Sequence, residues 1–457
     1  MKIPDHIFRE YDIRGLVDEE LTPYVARCVG KAYGTLAREQ LQRTPRVAVG
    51  RDNRPSSPAL SDGLVQGLMR SGADVADLGT VPTPTAYWAE RTLPTDGAIQ
   101  ITGSHNPPEW NGIKMTLDGS SVYGEAIRGL KACIDTEDYA QGEGTCERID
   151  VLEEYLSDLA GRFKISRPVK VVLDCGNGTG SLVGVRLLEK IGAEVIPLYC
   201  DSDGTFPNHH PDPTVDENLV DLIDTVRREG ADLGIGFDGD ADRIGAVDES
   251  GNVVRGDILL LLFGLDLIRR TESRQKLVFD VKCSQVLPDE FTKAGGEAIM
   301  WKTGHSLIKE KMKAEGAALG GELSGHICVA DGYFGFDDAP YAASLLIDLI
   351  ARSGRSLAEM VSDFPRLVST PELRIDVTEE TKVAIVEAAK DHFSKTREVN
   401  TVDGARISFA GGWGLLRASN TQPIIVARYE AGTAEQLKAI RSEVESWLSA
   451  QGGCRLA

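Results

Sequence analysis

The feature that most limits what this chain can fold into is a pattern written three times. RVAVGRD around Val47, VKVVLDCGNG around Val169 and KLVFDVKCS around Leu277 are each an apolar run closed by a polar turn. Each is followed by a helix-length stretch and then a Gly-Ala or Gly-Gly pair, at Gly72, Gly192 and Gly295. That pair opens a second apolar run: GADVADLG, GAEVIPLY and GGEAIMWKTG. Short Val/Ile-rich strands alternating with helices make βαβ units, with strands that run largely parallel. A glycine just past a helix supplies its stop signal. The copies lie a domain's length apart. The pattern therefore predicts an α/β protein with three related mixed α/β domains, over residues 1–150, 151–252 and 253–368.

From about Ser369 the pattern changes. LRIDV, a helix-like run from Glu379 to Lys395, a strand RISFAGGWGLLRAS, a strand IIVARYEA and a closing helix to Leu448 predict a smaller α+β domain, residues 369–457.

Charge narrows the partners. The 457 residues carry 50 Lys and Arg against 70 Asp and Glu, a formal charge of −20. Such a surface argues against non-specific nucleic-acid binding, which needs phosphate-neutralising cations. An anionic substrate would have to be met by basic residues concentrated against the overall field. The eight cysteines are scattered with no CxxC pair, which argues against a zinc site and fits a reducing cytosol. The N-terminal MKIPDHIFREYDIRG lacks a signal peptide's apolar core. The most apolar stretch, Ile258 to Ile268, carries Asp266 and falls short of the ~18 residues of a membrane span, so it predicts a buried helix. The expectation is a cytoplasmic protein with neither a membrane nor a nucleic-acid partner.

Four strings carry the chemistry. TGSHNPPEWNGIK, residues 102–114, follows the strand GAIQI and sets Ser104 on a loop between Gly103 and Pro107, where sheet proteins of this class place reactive groups. In LGIGFDGDADRIGAVD, Asp238, Asp240 and Asp242 alternate between two strands. Three carboxylates so close repel unless a cation joins them, and all-oxygen ligation suits Mg²⁺. An EF-hand would need Gly where Arg243 stands, and helices where strands stand. An aspartyl-phosphate phosphatase would leave Asp242 and the Ser104 loop without roles. In GGELSGH, residues 320–326, Glu322 and Ser324 would share one face of an extended strand and suit neighbouring sugar hydroxyls. In RASNTQP, residues 417–423, Arg417 with Ser419, Asn420 and Thr421 makes a compact anion cradle.

Together, in this order and over essentially the whole chain, the strings resemble the α-D-phosphohexomutase superfamily, closest to its phosphomannomutase/phosphoglucomutase branch. The resemblance implies three related α/β domains and a smaller C-terminal one around a central cleft. It also implies reversible interconversion of hexose 1-phosphate and hexose 6-phosphate (mannose and/or glucose), by a monomer acting on a small phosphosugar. By the resemblance, Ser104 carries the transferred phosphate, and Asp238, Asp240 and Asp242 hold one Mg²⁺ with a phosphoryl oxygen of Ser104. Glu322 and Ser324 read sugar hydroxyls, and Arg417, Ser419, Asn420 and Thr421 bind the non-reacting phosphate. FREYDIRG matches a family string that brings Tyr11 and Arg14 to the cleft, and further matches bring Lys114, Arg243, Lys282, His305 and His326. The mechanism it implies passes through a hexose 1,6-bisphosphate, which also serves as activator. Lys114 and His326 are both candidates for the base, and Arg243 neutralises charge. Phosphoglucosamine mutases carry Gln where Leu323 stands and SASHNP in place of TGSHNP. That activity, or a Mg²⁺-dependent sugar-phosphate phosphatase, is the alternative.

Overall fold

Three sheets repeat one order of strands. In this computed structural model, which describes residues 3–419 and 422–451, the first unit contains β1 (Ile13–Leu16), α1 (Pro23–Leu41), β2 (Arg46–Arg51), α2 (Ser57–Arg70) and β3 (Asp74–Thr80). It continues through α3 (Thr83–Thr92), β4 (Gly97–Ile101), β5 (Trp110–Leu117), β6 (Ser120–Ser121), α4 (Glu125–Thr136) and β7 (Cys146–Arg148). The second holds α5 (Leu152–Arg162), β8 (Lys170–Asp174), α6 (Gly184–Lys190), β9 (Glu194–Leu198), α7 (Val220–Glu229), β10 (Leu233–Phe237), β11 (Ile244–Asp248) and β12 (Val253–Val254). The third holds α8 (Gly256–Thr271), β13 (Lys276–Asp280), α9 (Val286–Lys293), β14 (Glu297–Trp301) and α10 (His305–Glu315). It ends with β15 (Leu319–Gly321), β16 (Ile327–Val329), α11 (Ala339–Ser353) and α12 (Leu357–Val361).

In each unit the first strand of the repeat lies between the second and the third, and a fourth closes the row. The rows read β3-β2-β4-β5, β9-β8-β10-β11 and β14-β13-β15-β16. The first three strands pair in parallel and the fourth pairs antiparallel to the third. A helix crossover is needed between parallel strands, whereas an antiparallel pair needs only a turn. The Ser104 loop, the three-aspartate loop and the Glu322 loop are those three turns, each between third and fourth strand.

The smaller fourth unit holds β17 (Val368–Ser369), β18 (Leu373–Asp376), α13 (Glu379–Phe393), β19 (Val399–Asn400), β20 (Ala405–Phe409), β21 (Gly412–Ala418), β22 (Ile424–Ala431) and α14 (Ala434–Ser449). Its strands β19 to β22 form an antiparallel meander. RISFAGGWGLLRAS is thus a hairpin and not one strand. Gly411 takes a left-handed φ of 85° at the reversal, which a continuous strand does not allow.

Local sequence explains the element ends. Thr22 accepts the Val25 N–H at 3.3 Å to open α1, with Pro23 in the first turn. Asp338 accepts the Tyr341 N–H at 2.8 Å to open α11, which left-handed Gly354 closes. The apolar run Ile258–Ile268 lies in α8 against the main core. Its Asp266 is buried but paired with Arg270 and Arg352, each at 2.9 Å. No helix among the described residues is long and apolar enough to cross a membrane.

One core runs continuously through the second and third units and reaches Ala48 and Leu78 of the first. The first unit's helices cover a second core, and the C-terminal unit has its own. A small cluster of Val281, Trp413 and Leu415 joins the C-terminal unit to the third. The first three units therefore present their turns from a shared apolar frame.

Candidate active site

The Ser104 loop is built around a buried cation. Arg54, 1% exposed, pairs with Asp52 and donates to the carbonyls of Ser104 (2.8 Å), Asn106 (2.6 Å), Pro107 (2.7 Å) and Trp110 (3.1 Å). These bonds satisfy loop carbonyls that would otherwise be stranded, and they hold Ser104 at a left-handed φ of 51°. The hydroxyl then reaches Asp238, Oγ to Oδ2 3.1 Å, and lies 3.1 Å from His105 Nδ1. Ser104 is 1% exposed. Gly239 lets the two turns meet, since a methyl group there would come within 2.5 Å of the Ser104 carbonyl oxygen.

Asp238, Asp240 and Asp242 are fully buried, with a carboxylate oxygen from each within 4.8 Å of the others. Lys114, from β5, lies between two of them, 2.8 Å from Asp240 Oδ2 and 2.5 Å from Asp242 Oδ2. Burial lowers its affinity for a proton, but the two carboxylates outweigh burial and hold the ammonium charged. One cation does not balance three carboxylates. Burial and the charges of Asp240 and Asp242 push the Asp238 carboxyl well above its ordinary range. Asp240 Oδ1 and Asp242 Oδ1 are buried acceptors without a hydrogen-bond donor. Orphaned hard oxygens and uncompensated negative charge are what a small divalent cation satisfies, so the residues fit a metal.

The Glu322 loop joins this centre through the backbone. Arg243 and His326 form an isolated antiparallel bridge between the second and third units, next to an Ile244 N–H bond to the Gly325 carbonyl at 3.1 Å. Their side chains meet as well, Arg243 Nε donating to His326 Nε2 at 3.0 Å, while Nε stands 3.9 Å from Asp238 Oδ2. His305, at the start of α10, stacks on His326 with ring centroids 5.2 Å apart. Burial and the charge of Lys309 pull His305 well below the ordinary imidazole range.

A second group lies beyond His305. Glu322 and Ser324 are in a turn closed by the Gly325 N–H on the Glu322 carbonyl at 3.0 Å, not on an extended strand. Gly325 at φ 90° imposes the turn, and the side chains meet by curvature, Ser324 Oγ donating to Glu322 Oε2 at 3.1 Å. Glu322 Oε1 accepts the Gly304 N–H, and Tyr11 donates to the Thr303 carbonyl at 2.6 Å. Arg417, on β21, pairs with Asp403, Nε to Oδ2 2.5 Å, and the same oxygen accepts the Thr303 N–H at 2.9 Å. Lys282 pairs with Glu372 at 2.7 Å. Arg14 pairs with Asp12 and donates to Asn106 of the serine loop at 3.0 Å. The Ser419 carbonyl accepts from Lys382 at 2.7 Å. Asn420 and Thr421 lie outside the described residues.

Arg54, Asp52, Lys309, Asp337 and Asp403 shape this region without being singled out by sequence. The string GRDNRP across the end of β2 held a usable signal, charges at the end of a buried strand. Asp337 and Asp403 held none. A surface cavity of about 320 Å³ lined by Arg162, Phe263, Tyr341 and Arg352 shares no residue with the cluster.

Four family models match in order: phosphoglucomutase/phosphomannomutase alpha/beta/alpha domains I (residues 5–141), II (153–251) and III (255–367), and the C-terminal domain (372–446). The phosphomannomutase/phosphoglucomutase of Pseudomonas aeruginosa is 45% identical over 450 residues, 98% of this chain and 96% of that one. A phosphoglucomutase of Neisseria meningitidis is 42% identical over 445 residues, 96% of each. The crystal structure of a phosphoglucomutase/phosphomannomutase family protein from Burkholderia thailandensis superimposes with a TM-score of 0.92 at 39% identity, covering 99% of both chains.

Proposed function

The chain belongs to the phosphoglucomutase/phosphomannomutase family of α-D-phosphohexomutases, and from that membership we propose that it interconverts the 1- and 6-phosphates of glucose and mannose through a phosphate carried on Ser104. The observation that carries this reading is the 3.1 Å approach of Ser104 Oγ to Asp238 in a buried acidic cluster bordered by Lys114, Arg243 and His326.

Phospho-Ser104 gives its phosphoryl group to the free hydroxyl of the sugar phosphate, forming a hexose 1,6-bisphosphate. That intermediate reverses end for end, and its other phosphate returns to Ser104. Asp238, Asp240 and Asp242 would hold one divalent ion, proposed as Mg²⁺, which would supply charge neutralisation at the transferred group. Arg243 adds a second positive charge from the side of Asp238. Of the two candidate bases, Lys114 is held charged between two carboxylates, whereas His326 has an unprotonated Nε2 that accepts from Arg243. His326 is therefore assigned the hydroxyl proton, taken at Nε2 as the Arg243 N–H passes from that lone pair to the phosphoryl group. Glu322 and Ser324 take sugar hydroxyls, and Tyr11, Arg14, Lys282 and His305 border the same cleft. Arg417 and Ser419, with Asn420 and Thr421, take the phosphate that is not reacting. The burial of Ser104 favours a mutase over a sugar-phosphate phosphatase, because a phosphoserine shielded from water passes its phosphate to a sugar hydroxyl.

Peptide mass spectrometry of the active protein should place one phosphate on Ser104, and Ser104→Ala should lose mutase activity by about three orders of magnitude or more while keeping its fold. Free phosphate released at the mutase rate, or near-normal turnover in Ser104→Ala, would sink the assignment.

A further inference from the structure

One buried carboxylate that the mechanism has not used faces the reaction centre. Asp337 is 0% exposed. Its backbone bridges to Cys328 of β16, and the next residue, Asp338, caps α11, so its position is set from both sides. Oδ1 accepts from Lys309 Nζ at 2.8 Å, while Oδ2 lies 2.9 Å from His326 Nδ1 and 3.4 Å from His305 Nδ1. Burial works to raise this carboxyl, but Lys309 and the two histidines outweigh it and hold the group well below its ordinary range, as an anion.

The far side of the His326 ring decides which nitrogen carries the proton. Arg243 Nε donates to His326 Nε2. A guanidinium only donates, so Nε2 is the lone-pair nitrogen, and the proton of the neutral ring sits on Nδ1. Among the described residues, the carboxylates within 4.0 Å of Nδ1 are Asp337 at 2.9 Å and Asp242 at 3.6 Å. Each carboxylate has its other oxygen on a lysine, Asp242 on Lys114 and Asp337 on Lys309, so Asp337 is set apart as the nearer acceptor. Its Oδ2 stands off the axis of the ring N–H, so the 2.9 Å approach is a close charge–dipole contact and not an aligned hydrogen bond.

We propose that Asp337 is a positioning residue for phosphoryl transfer: it holds His326 in the Nδ1–H tautomer, and through His326 it fixes the Arg243 guanidinium beside Asp238 and Ser104. The contacts run without a gap from Lys309 through Asp337, His326 and Arg243 to Asp238 and the serine hydroxyl. The tautomer matters because a proton on Nε2 would face the Arg243 N–H donor to donor. The Nε2 lone pair takes the sugar proton only once Arg243 has passed its N–H hydrogen bond to the transferring phosphoryl group. A base oriented by a third group is a recurring arrangement in group transfer. The inference deepens the mutase reading and rests on it.

Two measurements test it. In ¹⁵N spectra of the full chain labelled at histidine and supplied with Mg²⁺, the His326 signals are those lost in His326→Gln. They should show Nδ1 protonated and Nε2 bare, and the opposite tautomer would overturn the proposal. This readout uses the wild-type ring and so does not depend on how well an Asp337 variant folds. In mutase kinetics, Asp337→Asn should lower kcat by about tenfold or more, because the buried charge facing the ring is lost. KM and the Mg²⁺ midpoint should stay within about threefold. In the His326→Gln background the same substitution should cost less than about threefold, because the two residues act in series. An equal loss in both backgrounds would reduce Asp337 to a structural role. A wild-type chain that interconverts no hexose phosphate would instead refute the mutase reading, and the tautomer would still decide the hold of Asp337 on His326.

Discussion

Asp403 accepts from Arg417 at 2.5 Å and from the Thr303 N–H at 2.9 Å through a single oxygen, so an internal carboxylate occupies the cation assigned to the substrate phosphate while tying the C-terminal unit to the third. An incoming phosphate must displace or share that contact. Asp403→Asn keeps an acceptor for Thr303 but removes the competing charge. It should lower KM for both 1-phosphates by about 2–5-fold, corresponding to roughly 0.4–1 kcal/mol of lost competition. An unchanged or raised KM would show that Asp403 does not compete with phosphate.

The acidic cluster should depend on its cation. Asp240→Asn removes one of three anionic ligands and should raise the Mg²⁺ concentration for half-maximal activity by roughly tenfold or more. Chelation should lower the melting temperature of the wild type, since the carboxylates repel without an ion. An unchanged midpoint in the variant would contradict the ligand assignment.

In the proposed mechanism the bisphosphate reverses between the two transfers, so one phosphate site would serve both ends of the sugar. Arg417→Ala should reduce kcat/KM by about 10–150-fold or more, and by similar factors for the glucose and mannose phosphates. Glu322→Gln, at the residue assigned to sugar hydroxyls, should shift the ratio between the sugars. A loss in Arg417→Ala that differs more than ~10-fold between sugars contradicts the shared site.

A pH effect on stability is expected away from the site. Burial lowers His209, but its bond to Asp174 at 3.0 Å and that residue's charge outweigh burial and raise it above its ordinary value of 6.5. A histidine raised on folding stabilises fully below its unfolded value and loses that contribution as pH climbs through the folded one. The melting temperature at pH 6 minus that at pH 8 should therefore be more positive in the wild type than in His209→Gln. Equal differences would remove the pair from the pH response. The comparison with the variant is needed because His105 and His305, both lowered by burial, act in the opposite direction.

The repeat around Val47, Val169 and Leu277 is legible in sequence because strand periodicity and the glycine after a helix are local properties. The aspartate triplet is legible for a similar reason, since like charges two residues apart demand a partner wherever they sit. Glu322 and Ser324 show the limit. The alternation suggests a shared strand face, yet Gly325 takes a left-handed conformation and the side chains meet across a turn. Arg54 is harder to read, because its value lies in four carbonyls that come within its reach only once the loop has folded over it.

The amino-acid order alone settles the three related α/β units, the smaller C-terminal unit and four short strings with the right atoms for phosphoryl transfer. Only the tertiary structure decides that three of those strings occupy one equivalent place, the turn from the third strand to the antiparallel fourth. The fourth string has its described ends on the antiparallel strands β21 and β22. The tertiary structure also decides that Arg243 and His326 are joined by backbone as well as side chain, and that Asp337 lies against His326 and Asp403 against Arg417. The physical reason is range. Propensity, capping and charge repulsion act over a few residues and are written in order along the chain. Hydrogen bonds and ion pairs between residues far apart in sequence exist only after the apolar cores have brought the units together.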